Sequence, residues 1–226
     1  AFAVFSLDSE PGLIVCGIEE SLARSESWIK DIRTYVEFQE SPIEVLVTFL
    51  KDKKLDKATI GIEKRYLVHA SVEELSTLLP GARFVDCEKI FNKLRAIKEP
   101  WEIEILAYAA KATREAAEEA FSNARPGDTE KKVATDMIKA LFDKGAEETG
   151  FMVLGAGERS LIVHHVPDKV PLRSGDIVRL DYGGLFKGYW SDLARTAVVG
   201  KPSARQEYIL RNLAQIQRAV ILNAKA

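Results

Sequence analysis

The stretch Ile177-Val178-Arg179-Leu180-Asp181-Tyr182-Gly183-Gly184-Leu185-Phe186-Lys187-Gly188-Tyr189-Trp190-Ser191-Asp192-Leu193-Ala194-Arg195-Thr196 decides the fold. Two apolar runs flank a glycine-bearing segment at 183–188, the pattern of a β-hairpin. Each run carries one acidic residue in its interior, Asp181 and Asp192. With the turn centred between Phe186 and Lys187, the two aspartates are expected directly opposite each other on one sheet face, their Cβ atoms about 5 Å apart. Like charges so placed repel, and burial raises the cost. A cation between them removes the conflict. Hard carboxylate oxygens suit Mn, Mg or a similar divalent ion, and two carboxylates can bridge a two-metal site. In the plainer alternative one aspartate faces solvent or pairs with Arg179 or Arg195. A one-residue slip in register would send the two side chains to opposite faces.

Upstream, His164-His165 stand just before Pro167. If the run at 161–163 is a strand that continues through them, the two histidines point to opposite faces and at most one faces the carboxylates. Such a histidine would serve as metal ligand, proton shuttle or electrophile; the competing role is structural. Gly155-x-Gly157 follows a strand pattern but lacks a third glycine and a helix start, which excludes a dinucleotide loop. Strands are expected at 151–154, 161–163, 176–181 and 189–199, and a helix at 204–222. Before them a second unit opens near residue 98, with Pro100 in a first helical turn and Ile103, Leu106, Ala110, Ala117 and Phe121 on one apolar face. Pro126-Gly127 ends that helix. Asp128 or Thr129 caps the next, which buries Val133, Met137 and Leu141 and stops at Gly145.

Residues 1–90 alternate strand and helix patterns, which implies an α/β layer domain. Strands at 2–7 and 13–18 flank the turn-rich Asp8-Ser9-Glu10-Pro11-Gly12, a hairpin signal. A helix with Pro42 near its start covers 42–50, and short strands are expected at 58–62 and 83–87. Ser71-x-x-Glu74 is read as a capping box opening a helix that ends near Pro80-Gly81. His69, alone beside that start, is assigned a surface or capping role.

Of the 226 residues, 46% are apolar and 29% charged, the balance of an ordinary globular chain. The formal charge of −2 gives no support for a nucleic-acid or anionic-membrane partner. No apolar run approaches the roughly 20 residues of a membrane span. Cys16 and Cys87 each sit in an apolar stretch and read as core thiols of a reducing compartment. The chain opens on Ala1 in mid-strand, without Met, and closes on Asn223-Ala224-Lys225-Ala226 inside a helical pattern without a cap; both ends are expected to be cuts in a longer chain.

Six strings together resemble the creatinase/prolidase/aminopeptidase P family, the pita-bread metallopeptidases. They are Leu94-Arg95-Ala96-Ile97-Lys98-Glu99-Pro100-Trp101-Glu102-Ile103, Arg125-Pro126-Gly127-Asp128-Thr129-Glu130, His164-His165-Val166-Pro167, Leu172-Arg173-Ser174-Gly175-Asp176, Asp181-Tyr182-Gly183-Gly184 and Gly188 through Thr196. The resemblance implies an N-terminal α/β domain over 1–90, lacking its start, and over 91–226 the first half of an α+β pita-bread catalytic domain. It implies that Asp181 and Asp192 are metal ligands and that His164 is the catalytic histidine lying over the metals, steadying the tetrahedral intermediate without ligating. Val163 stands where many members have proline. The family completes a site for two divalent ions (Mn, Co or Zn) with a later His and two Glu. This chain has no His after His165, so metal binding by these residues alone is expected to be weak or absent, and the chain alone inactive. The implied activity of the complete protein is hydrolysis of Xaa–Pro bonds, as a dipeptidase or an aminopeptidase. Its implied partners are proline-containing peptides, with no nucleic acid or membrane, and it is implied to be a cytoplasmic homodimer. The alternatives are a non-peptidase hydrolase of the same fold and a non-catalytic peptide-binding module. Segments from 150 to 222 are expected to leave apolar surface bare and to drive self-association.

Overall fold

A computed structural model describes residues 1–224; the part of the uncapped helical end that falls on Lys225 and Ala226 lies outside the described residues. The chain divides into two compact units, Ala1–Ile97 and the residues from Lys98 onward.

In the first unit, β1 (Phe2–Val4) and β2 (Gly12–Cys16) form the hairpin expected around residues 8–12, Phe2 pairing with Ile14. β3 (Asp31–Tyr35) joins β2 in parallel after a short helix, α1 (Glu20–Glu26). Helix α2 (Pro42–Asp52) has Pro42 in its first turn, and the Ser41 hydroxyl accepts from the Ile43 and Glu44 N–H groups. It buries Ile43, Leu46, Val47, Phe49 and Leu50 against Ile14, Leu75 and Leu79. β4 (Thr59–Ile62) and β5 (Arg83–Asp86) pair in parallel around α3 (His69–Leu78).

The capping box expected at Ser71 and Glu74 is absent. Helix α3 starts two residues earlier, at His69, and Val68 occupies the cap position. The Glu74 carboxylate instead accepts from the Ser41 hydroxyl at 2.5 Å, a tertiary bond in place of the local one. His69 stands exposed, 3.4 Å from Glu73. Cys16 and Cys87 are free and buried, as expected. Helix α4 (Glu88–Ala96) completes this unit; the second opens at Lys98, as read from the residues, so 91–97, which the family resemblance placed with the catalytic domain, lie in the first unit.

The second unit is a sheet covered on one face by helices. β7 (Ile177–Phe186) is its central strand, antiparallel to β6 (Glu148–Ala156) on one side and to β8 (Tyr189–Trp190) and β9 (Leu193–Val198) on the other. Helices α5 (Pro100–Asn123) and α6 (Glu130–Asp143) supply the cover. Along α5 the buried stripe is Ala109, Ala112, Thr113, Ala116, Ala117 and Ala120, while Ile103 and Ala110 are exposed. Of the expected stripe, Ala117 is buried and Phe121 packs against the core, whereas Ile103 and Ala110 give way: small side chains let the helix lie close to the sheet, and closeness outweighs the bulk of Ile103. α6 begins on Thr129, whose hydroxyl accepts from the Lys132 N–H, and buries Val133, Met137 and Leu141 as expected. Full burial of each of Met137, Leu141, Leu154 and Leu180 contributes about 1.5–3 kcal/mol.

The final helix, α7 (Ala204–Asn223), opens with a Ser203/Gln206 capping box and buries none of its residues. Its apolar stripe of Ile209, Leu213, Ile216 and Val220 is exposed. Among the described residues no helix is long and apolar enough to cross a membrane.

Candidate metal centre

Along β7, Val178, Leu180 and Tyr182 are buried toward the helices, so Ile177, Arg179 and Asp181 occupy the opposite face. The hairpin turn lies at Lys187-Gly188, both with positive φ (49° and 79°), so that Phe186 pairs with Tyr189. The expected register placed Phe186 in the turn. A primed two-residue turn needs the left-handed backbone that Gly188 adopts without strain, and Phe186 remains in the strand, buried edge-on to Tyr108.

Each partner thereby moves by two residues. Asp181 pairs with Ala194, not Asp192. A two-residue shift preserves the face, and the alternation of buried Ser191 and Leu193 with exposed Asp192 and Ala194 keeps Asp192 on the Asp181 side. Asp192 stands two positions before Ala194, the partner of Asp181, and so lies diagonal to Asp181 instead of forming the direct pair expected from the sequence.

Two close backbone approaches shape this face. At Gly183 a Cβ would lie 1.9 Å from the Ser191 carbonyl oxygen, so the segment carrying Asp192 folds over the sheet through space that any other residue would fill. At Gly155, which pairs with Arg179, a Cβ would lie 2.8 Å from the Arg159 carbonyl oxygen. There a 3-10 turn (Gly157–Leu161) folds over the same face and leads to His164.

The strand expected at 161–163 does not form. That segment leaves the 3-10 turn as a bend, and His164 lies in a turn, exposed, with His165 half-buried. The cause is an anchor that the sequence reading did not identify. Glu130, fully buried, accepts from the Ala156 N–H (2.9 Å), from Arg159 Nε and Nη2 (both 3.0 Å at their nearest) and from the Asp168 N–H (3.2 Å). Arg159 Nη2 also donates to the Val166 carbonyl at 3.3 Å. Both ends of the His164 loop are thus tied to one carboxylate. The available signal was an acid in the first helical turn after the Thr129 cap.

Neither Asp181 nor Asp192 has a side-chain hydrogen bond or ion pair among the described residues. The basic neighbours turn elsewhere: Arg179 Nη1 donates to the Ile162 carbonyl (3.2 Å) and Arg195 Nη1 to the Ala194 carbonyl (2.8 Å). The first of these bonds ties the His164 loop to the face that bears Asp181. Two uncompensated carboxylates on one face are hard oxygen donors of the kind a divalent cation takes. Among the described residues no group of three or more His, Cys, Asp or Glu side chains gathers to complete a metal site.

Comparison with known proteins matches residues 104–226 to metallopeptidase family M24 and residues 1–97 to the creatinase/prolidase N-terminal domain. The Bacillus subtilis protein YkvY is 31% identical over 220 residues, 96% of this chain and 60% of that one. An Xaa-Pro dipeptidase of Pyrococcus furiosus is 29% identical over 217 residues, 96% of this chain and 59% of its own length. Among solved structures, the prolidase from Pyrococcus horikoshii superposes with a TM-score of 0.82 at 27% identity, over 96% of this chain and 60% of that one. The chain spans about 60% of the length of such relatives.

Proposed function

We propose, for a chain that belongs to metallopeptidase family M24 and carries a creatinase/prolidase N-terminal domain, that it is part of a metal-dependent hydrolase of Xaa–Pro peptide bonds. The second unit bears the chemistry, with Asp181 and Asp192 as ligands to divalent metal and His164 as the group facing the substrate carbonyl. The observation that carries this is the pair of unpaired carboxylates on one sheet face, left so although arginines lie close by in sequence. Xaa-Pro specificity draws its support from relatives such as the Pyrococcus furiosus dipeptidase.

The two carboxylate donors fit a divalent ion such as Mn, Co or Zn, and further ligands are needed to fill its coordination shell. When bound, such an ion polarises a carbonyl oxygen and lowers the pKa of water. The chain's own residues do the rest. The exposed His164 offers a ring N–H to the oxygen on which charge grows as the peptide carbonyl is attacked. Glu130 and Arg159 hold its loop at both ends, which limits the reorganisation that donor would otherwise undergo. A cytoplasmic location is supported by the two unpaired buried cysteines.

The test is hydrolysis of Xaa–Pro dipeptides and of longer Xaa–Pro-Yaa peptides by the full-length protein, after chelation and resupply of Mn, Co or Zn. Metal-dependent release of proline or of the N-terminal residue is expected, and its absence with all three metals would sink the proposal. The 226 residues alone are expected to be inactive, because they bring only two ligands.

A further inference from the structure

We infer that the buried hydroxyl pair Thr113–Ser191 positions Asp192 over the sheet, making both of them positioning residues for the metal; this rests on Asp192 being a ligand, as proposed above. Thr113 lies on the alanine stripe of α5, fully buried, and Ser191 is 6% exposed. Their oxygens are 2.6 Å apart. The Thr113 hydroxyl reaches the Ala109 carbonyl (2.8 Å) and the Ser191 hydroxyl reaches the Gly184 carbonyl (3.2 Å), so the hydrogen between the two oxygens comes from whichever hydroxyl leaves its carbonyl. Ser191 Oγ in turn accepts from the Gly184 N–H (3.0 Å), and the Ser191 N–H donates to the Gly184 carbonyl (2.9 Å).

These bonds fall where regular pairing lapses between β8 and β9, at Ser191-Asp192. The segment is fixed from two sides: its hydroxyl is tied to the helix, and its carbonyl is seated over Gly183. Thr113 also serves the other ligand strand, because the Tyr182 hydroxyl, adjoining Asp181, donates to the Thr113 carbonyl at 2.5 Å. One residue of α5 therefore receives the neighbours of both aspartates. The Asp192 side chain has no bond of its own among the described residues, so its place is set by this backbone. A hydroxyl that only stabilised the fold would leave metal affinity unchanged once the protein was folded.

The experiment is Mn titration by calorimetry on full-length, metal-stripped protein, comparing wild type with Thr113→Val, Thr113→Ser, Ser191→Ala and Asp192→Asn. Folding of each variant is checked by circular dichroism. Thr113→Val and Ser191→Ala are expected to bind Mn about tenfold more weakly, and Thr113→Ser, which keeps the hydroxyl, within twofold of wild type. Folded Thr113→Val with wild-type affinity, or equal losses in Thr113→Val and Thr113→Ser, overturns the inference. Should Thr113→Val not fold, Ser191→Ala decides. Asp192→Asn separates the two levels. If it loses binding while the hydroxyl variants keep theirs, only the positioning role falls; if it binds as wild type, the metal assignment falls and the inference with it.

Discussion

Asp31 in the first unit and Asp181 in the second are strand aspartates with an arginine two residues away, on the same side of the strand in each case. Their surroundings differ. Asp31 lies 3.4 Å from Arg33 and 2.9 Å from Lys53, and Arg33 also binds Asp52. Both cations stand over the Phe49 ring, 4.8 and 5.2 Å from its centroid. Asp181 has no such partner among the described residues, because Arg179 is drawn to the Ile162 carbonyl of the His164 loop. Charge spacing along a strand therefore does not decide pairing; the next chain segment does. Where the end of α2 brings counter-charges, the aspartate is structural. Where a loop takes the arginine away, the aspartate keeps no counter-charge, which is what the proposed metal-binding role requires.

The strongest way to break this contrast is to neutralise each aspartate in turn. In the full-length protein, Asp181→Asn is expected to reduce metal-dependent Xaa–Pro turnover by more than the roughly 100-fold typical of losing an outer partner of a ligand. Asp31→Asn should leave turnover within twofold. Equal effects would erase the distinction between the two sites. A smaller effect, on stability, concerns the pair that half-buried Arg159 makes with fully buried Glu130 in the second unit. Arg159→Met leaves the Glu130 carboxylate buried without its cation and should cost about 3–5 kcal/mol in urea denaturation, whereas Glu130→Gln with Arg159→Met together should recover much of it. Smaller again is the response to metal. Manganese at a hundredfold excess over its dissociation constant should stabilise the full-length protein by about 2.7 kcal/mol, and Asp181→Asn should abolish that increment.

Much of this contrast was legible in the sequence, and its limits have physical causes. Asp181 and Asp192 stood out because acids inside apolar strands demand compensation, and the family strings add His164. The same face survived, but the direct pairing did not, because the turn follows the positive φ of Lys187-Gly188 and keeps Phe186 in the core. The apolar run at 161–163 resembled a strand; its conformation is set by Arg159 reaching Glu130, about thirty positions away in sequence, which no local pattern encodes. Thr113 was visible only as a polar interruption in an alanine stripe, and its partner Ser191 required the fold. The bare apolar stripe on α7 agrees with the expected uncovered surface within 150–222.

The smallest effect sharpens the other side of the comparison. The Asp31 carboxyl is held below its ordinary range, chiefly by the hydrogen bond from Lys53 and further by Arg33. A carboxyl depressed in the folded state stabilises the fold above the unfolded value, near 3.9, and loses that contribution as pH falls through the lower folded value. The group is partly exposed, so screening limits the pairing to about 0.2–1 kcal/mol at neutral pH. Asp31→Asn should therefore lower the urea midpoint slightly at pH 7 and leave it unchanged near pH 2, and 1 M salt should shrink the neutral-pH difference. An unchanged midpoint at pH 7 would mean that Lys53 and Arg33 are not stabilising partners of Asp31 in solution.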